Sequence, residues 1–277
     1  MTEDTGLRTT ALTRRRTAPN PGPMTLEGTN SWLIGAPGQE DVVVVDPGPA
    51  DRGHLAALAA AGRTVLTLVT HRHADHTEGV ADFHARTGAP VRAVRPEFCR
   101  DAPPLADGET IEAAGCRIRV LHTPGHTSDS VSFHLPDDTP AAGDTPAGAP
   151  GPGRSAAPAG PGSVLTGDTV LGRGTTMLDH PDGSLGDYLR SLQRLAVLGG
   201  ALVLPAHGDV REDVEAVCEE LLEHRMERLA EVREALRDLG RGATLEAITE
   251  RIYADVPAHV LPAARRSVGA QLAYLGF

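Results

Sequence analysis

Short apolar runs separated by turn residues recur along most of the chain. Trp32-Leu33-Ile34 and residues 41–46 read as strands divided by the turn Gly35-Ala36-Pro37-Gly38. Residues 52–61 read as a helix that stops at Gly62, and 64–69 as the next strand. A second helix is expected to begin at Thr77 and run through His84. Alternation in Cys116-Arg117-Ile118-Arg119-Val120 marks a half-exposed strand. Further apolar runs end at Leu165 and at Leu204. Strands with helices between them predict an α+β class, two mixed sheets packed together with helices outside.

The pattern changes after residue 210. Val214, Val217, Leu221, Leu222, Met226, Leu229 and Val232 fall at helical spacing. Gly240 and Gly242 break the run, and Thr244 is a plausible N-cap for another helix. Residues 211–277 are therefore expected to form a small helical, winged-helix-like domain beside the active-site face. Residues 136–163 are low-complexity sequence without large apolar residues. They read as an enlarged, disordered hairpin loop inside a domain of residues 18–210, dispensable for metal binding. Residues 1–17 read as an N-terminal arm or first strand, with Arg14-Arg15-Arg16 taken as solvated.

Composition narrows the function classes. At 277 residues and 40% hydrophobic content, the chain suffices for one large domain and an appendage. No apolar run approaches the ~20 residues needed to span a bilayer. The polar N-terminus lacks the apolar core of a secretory signal. Cys99, Cys116 and Cys218 have no Cys-x-x-Cys spacing and read as free packing thiols in a reducing compartment, the cytoplasm. All 26 basic residues are arginine, and the net charge is −11, which gives no general attraction to nucleic acid.

The chemistry is concentrated in Thr70-His71-Arg72-His73-Ala74-Asp75-His76, directly after an apolar strand-like run. His71 and His73, two apart on extended chain, point the same way and can grip one ion. Asp75 and His76 follow as the chain turns and can aim at a second ion. His126, Asp168 and His207 each follow an apolar run at a Gly- or Pro-marked turn. Imidazole and carboxylate ligate zinc and similar divalent metals. Seven such ligands are too many for one ion and suit two ions sharing a bridging carboxylate and a bridging hydroxide.

The His-x-His-x-Asp-His motif with the later His, Asp and His resembles the metallo-β-lactamase superfamily of hydrolases, over roughly residues 20–210. The resemblance implies an αββα sandwich, with His71, His73 and His126 on one metal and Asp75, His76 and His207 on the other. Asp168 would bridge. Asp46, after Val42–Val45, matches an aspartate that supports such sites from behind; as a bare sequence feature it is equally a turn former before Pro47-Gly48. Residues 20–31, Leu171-Gly172-Arg173-Gly174-Thr175-Thr176 and the helical tail are similar to the β-lactamase-like protein 2 subgroup, and the chain from about residue 8 onward fits it. That subgroup includes a metal-dependent endoribonuclease of mitochondria, and similar proteins include thioesterases that release polyketides from carrier proteins. The chain departs from several relatives at Ser130, where they carry a histidine.

These readings converge on a dinuclear metal-dependent hydrolase acting on an acyl ester or thioester, with a small-molecule or carrier-bound acyl substrate and no membrane partner. Zinc is the expected metal, with iron or manganese suited to the same donors. Asp75 is the candidate catalytic residue, to orient the hydroxide or pass its proton to the leaving group. Gly174, Thr175 and Thr176 are candidate substrate contacts, against a plain glycine turn. Two alternatives stand beside this. One is an endoribonuclease on single-stranded RNA, which would want an arginine-lined path from Arg173, Arg251, Arg265 and Arg266. The other is a non-catalytic metal-binding module. His122 is read as structural, and His54, His84, His134, His180, His224 and His259 as surface or packing residues.

Overall fold

A computed structural model describes residues 6–141, 161–240, 242–257 and 261–277. The first sheet has the order β1 (Leu7–Arg8), β2 (Thr13–Thr17), β3 (Asn30–Ile34), β4 (Asp41–Val45), β5 (Arg63–Leu68) and β6 (Val91–Arg92). The second, read from its opposite end, comprises β7 (Thr110–Ala113), β8 (Cys116–His122), β9 (Val131–Leu135), β10 (Ser163–Gly167) and β11 (Leu202–Pro205). Both sheets are mixed: β4, β5 and β6 run parallel in the first, and β10 and β11 in the second.

The period-two pattern sorts each strand between two cores. Trp32, Ile34, Val43, Val45, Leu66 and Leu68 face inward and meet Ile118, Val120, Phe133, Leu135, Leu165 and Leu204 of the other sheet. The alternate residues Leu33, Val42 and Val44 face outward, against Leu55 and Leu58 of α1 (Arg52–Ala60) and Phe83 of α3 (Val80–Thr87). On the other side Val164 and Val203 pack on Tyr188, Leu192 and Leu195 of α4 (Leu185–Ala196) and on Val214, Val217 and Leu221 of α5 (Val214–Leu239). Burial on both faces explains why β4 reads as an unbroken valine run rather than an alternating one. Each fully buried side chain of this size contributes about 1.5–3 kcal/mol.

The C-terminal segment is helical among the described residues. Thr244 caps α6 (Leu245–Ile252), its Oγ1 accepting from the Ala247 N–H at 3.2 Å, and α7 (Leu261–Tyr274) follows. Val232, Leu236, Ile248 and Val268 close a separate small core between α5, α6 and α7. No helix among the described residues is long and apolar enough to cross a membrane.

Two local expectations change. Arg14-Arg15-Arg16 is not a solvated arm: it lies in β2, paired residue for residue with β3 from Thr13↔Ile34 to Thr17↔Asn30. Arg14 donates to the Ala61 carbonyl and Arg15 to that of Gly208, so the guanidinium groups tie distant loops to the strand. The helix expected from Thr77 is split. Ala74–Thr77 forms a single turn, α2, and α3 starts only at Val80. The break is Gly79, where a Cβ would sit 2.9 Å from both the Gly48 carbonyl oxygen and Leu55 Cδ2. The metal motif thus contains its own helical turn, and the longer helix does not start against it. Most of the low-complexity stretch, 142–160, lies outside the described residues. Its flanks form the facing ends of β9 and β10, with Leu135 opposite Ser163.

Strand direction decides where the chemistry collects. β8 and β10 are both antiparallel to β9, and β11 is parallel to β10, so all three point the same way. The loops leaving β5, β8, β10 and β11 carry Thr70–His76, His126, Asp168 and His207 to one end of the sandwich.

Candidate metal centre

All seven sequence-selected ligands meet there, in two clusters. His71, His73, His126 and Asp168 form one, and Asp75, His76 and His207 the other, with candidate ligand atoms within 4.8 Å of one another in each. In the first, His73 Nδ1 lies 3.1 Å from His71 Nε2 and 3.0 Å from His126 Nε2. In the second, Asp75 Oδ2 lies 3.2 Å from both His76 Nε2 and His207 Nε2. Asp168 faces both groups. Its Oδ2 is 3.6 Å from His126 Nε2, while its Oδ1 is 3.3 Å from His207 Nε2 and 3.5 Å from His76 Nε2.

Each ring is oriented from behind, so that one nitrogen donates outward and the other faces the site. His76 Nδ1 donates to Asp46 Oδ2 at 2.8 Å, and His126 Nδ1 to the Met177 carbonyl at 2.6 Å. His207 Nδ1 donates to the Gly28 carbonyl at 3.2 Å. His71 Nδ1 meets Thr70 Oγ1 at 3.1 Å, and that hydroxyl donates to Asp46 at 2.6 Å. His73 is reversed: Nε2 donates to Asp179 Oδ2 at 3.1 Å and Nδ1 turns inward.

Close backbone approaches set these loops. Gly167, at φ +52°, brings the end of β10 against Thr70, where a Cβ would stand 2.9 Å from that side chain. Gly125, before His126, has φ +139°, and a Cβ there would meet the backbone of Tyr188 at 2.4 Å. Neither position admits a larger residue without a shift of Thr70 or of the Tyr188 backbone.

The electrostatics fit a cationic occupant. Burial pushes the pKa of His71 and His126 down, so both rings are neutral donors. Burial works against ionisation of Asp75 and Asp168, but the adjacent His76 and His207 overcome it and hold both below the usual carboxylate range. Against the same burial, the carboxylates raise His76 well above its ordinary value and His207 to about 10. The same carboxylates would favour a divalent ion placed between these rings. His76 Nε2 and Asp168 Oδ1 are buried without a hydrogen-bond partner, a costly state that a metal ligand's role explains. An all-imidazole and carboxylate donor set suits two divalent ions.

Residues 24–207 match the Metallo-beta-lactamase superfamily, and residues 244–275 match the Beta-lactamase associated winged helix domain. The chain belongs to the metallo-beta-lactamase superfamily. It is 32% identical over 269 residues to an atrochrysone carboxyl ACP thioesterase of Aspergillus chevalieri, covering 91% of this chain and 77% of that protein. A beta-lactamase-like protein 2 homolog of Caenorhabditis elegans is 28% identical over 262 residues, covering 90% and 79%. The crystal structure of a metallo-beta-lactamase family protein from Thermus thermophilus superposes with a TM-score of 0.72 at 23% identity, covering 95% of this chain and 93% of that one. The fold is therefore the superfamily's two-sheet sandwich with a C-terminal helical winged-helix domain. The chain is a metal-site hydrolase of that superfamily.

Around this superfamily site the structure adds residues that the sequence reading missed. Thr29 Oγ1 donates to Asp75 Oδ2 at 3.1 Å. Asp179 backs His73 and is itself paired with Arg72 and, at 3.3 Å, with Arg266 of α7. No local pattern marks either residue; long-range packing alone brings them to the site.

A cleft of about 400 Å³ opens on His126 and Asp168, and its lining includes Met24, Leu26 and Leu171 together with Ala263 and Ala264 of α7. Gly174 and Thr175 are exposed on its rim. Thr176 lines the same cleft but is largely buried, with Oγ1 3.1 Å from His126 Nδ1, and so also braces a candidate ligand. Buried Arg225 of α5, stacked 4.9 Å over Tyr188, holds the Thr176 carbonyl. The four arginines considered as an RNA path each face a carboxylate: Arg173 Glu27, Arg251 Asp238, Arg265 Glu246 and Arg266 Asp179.

Proposed function

We propose that this hydrolase cleaves an acyl thioester presented on a carrier arm, with two zinc ions as its metals. The observation that carries the reading is the apolar-walled cleft ending on His126 and Asp168. It is supported by the similarity to a relative named as an ACP thioesterase. Met24, Leu26, Leu171 and the alanines of α7 give an acyl chain apolar surface, while the site end of the cleft is polar.

His71, His73 and His126 would hold one ion, Asp75, His76 and His207 the other, and Asp168 would contact both. When bound, such ions lower the pKa of water and polarise the carbonyl under attack. The protein's own contribution is orientation and proton handling. Asp46, Thr70, Asp179 and the Gly28 and Met177 carbonyls fix the five rings before substrate arrives. Asp75, held by Thr29, accepts the proton of the attacking water and returns it to the leaving sulfur. Water adds to the carbonyl carbon, the C–S bond breaks, and the products are a carboxylic acid and a thiol.

The test is release of free thiol from an acyl-pantetheine thioester by metal-loaded protein, run beside cleavage of single-stranded RNA, with His73→Ala as the control. Thiol release that the variant loses is the expected result. RNA cleavage lost in the variant, without thiol release, would overturn the substrate assignment in favour of a phosphodiesterase.

A further inference from the structure

His73 differs from the other four site histidines. Its side chain is 23% exposed, whereas the other rings are buried to within a few per cent. The others are backed by main-chain carbonyls or by the buried Asp46–Thr70 pair. His73 is backed by a side chain from a distant loop, and it presents Nδ1 rather than Nε2 to the cluster.

That loop is fastened to the other side of the same cluster. The Asp179 N–H donates to the His126 carbonyl at 3.0 Å, the Gly183 N–H closes back on the Asp179 carbonyl at 2.8 Å, and the Ser184 N–H donates to the Gly125 carbonyl at 3.0 Å. Asp179 therefore joins two site histidines, the main chain of one and the ring of the other. Its Oδ2 is shared between His73 Nε2 and Arg72, and its Oδ1 pairs with Arg266, so the two guanidinium groups fix the carboxylate against the ring.

We propose that Asp179 is a positioning residue: it fixes the ring angle and tautomer of His73 and so sets the metal affinity of the first cluster. A histidine on a partly open loop has ring rotation to lose on binding an ion. A charged acceptor on its outer nitrogen removes that freedom in advance and makes the inner nitrogen a stronger donor. The inference rests on the two-metal reading of the site.

The experiment is a two-step zinc titration of the full chain against a chelating indicator, for wild type, Asp179→Ala, His73→Ala and the double variant. Asp179→Ala is expected to weaken one binding step about 10- to 100-fold and leave the other unchanged. In the His73→Ala background it is expected to cause no further loss, because its effect passes through that ring. Asp179→Asn keeps shape and an acceptor oxygen and serves if the alanine variant does not fold; its loss is expected at roughly three- to tenfold, a neutral acceptor being about half as strong as a charged one. Unchanged zinc binding in either variant, or an equal loss with and without His73, would overturn the proposal. Wild-type protein that binds no zinc would overturn the site reading itself, a result distinct from intact binding that ignores Asp179.

Discussion

Asp46 Oδ2 accepts a hydrogen bond from His76 Nδ1 at 2.8 Å, across the gap between the end of β4 and the metal loop. The same carboxylate takes the Thr70 N–H at 2.7 Å and the Thr70 hydroxyl at 2.6 Å. Asp46 does this from φ +52°, a conformation that side-chain-bearing residues adopt at a cost. Asp46→Ala is expected to lower metal affinity at the second cluster about 10- to 100-fold. It also leaves buried Thr70 and His76 donors unpaired, for a stability loss of about 1–3 kcal/mol. Equilibrium dialysis and urea unfolding read the two effects separately.

Asp75 is assigned proton handling as well as metal holding, and the two separate in Asp75→Asn. The amide keeps an oxygen for the ion and for Thr29 but cannot take up a proton. Rate is expected to fall about 100-fold or more, the usual weight of a general base, with metal content near that of wild type. Parallel loss of rate and metal would remove the proton role.

His54 offers a pH test away from the metals. It is buried, its Nε2 2.8 Å from Ser31 Oγ, and burial, then the nearby Arg16, lowers its pKa to about 4. The unfolded chain takes up this proton near pH 6.5 and the folded chain does not, so the contribution is complete above pH 6.5 and is lost as pH falls towards 4. His54→Gln retains a polar partner for Ser31 but does not titrate. Relative to the variant, wild type is expected to lose roughly 3 kcal/mol between those pH values, at about 1.36 kcal/mol per pKa unit. Urea unfolding at stepped pH measures the difference; parallel curves would contradict it.

The ends of β9 and β10 are neighbours, and buried Asp138 ties them together. It accepts from Ser163 Oγ at 2.5 Å, from Thr10 Oγ1 at 2.6 Å and from the Leu12 N–H at 3.0 Å. Replacing 142–160 by a short Gly/Ser turn is therefore expected to leave metal content unchanged. Halving the length of a connection changes its closure entropy by only about 0.6 kcal/mol, so Tm should rise slightly or hold. Loss of metal on deletion would show that the stretch supports the site.

What can be read in advance follows from where each signal resides. The motif His71–His76 and the turn-marked His126, Asp168 and His207 are local patterns at strand ends, and common strand direction brings them together without further information. The valine run of β4 and the helical spacing of α5 are equally local. Asp179 and Thr29 carry no such mark, since their roles come from loops packed far along the chain from their partners. Arg14–Arg16 mislead because three consecutive charges suggest solvent, whereas in β2 their stems lie along the sheet, and the heads of Arg14 and Arg15 reach loop carbonyls. The long helix starts at Val80 rather than Thr77 because the need for glycine at position 79 arises from Gly48 and Leu55, which are distant in sequence.

The two clusters are expected to hold two ions in one centre. Metal analysis of purified, zinc-reconstituted protein by mass spectrometry tests it most directly, with His126→Ala and His207→Ala each removing a ligand from one cluster. Two ions per wild-type chain and about one in each variant are expected. A single ion in wild type that is lost entirely in both variants would contradict a dinuclear centre.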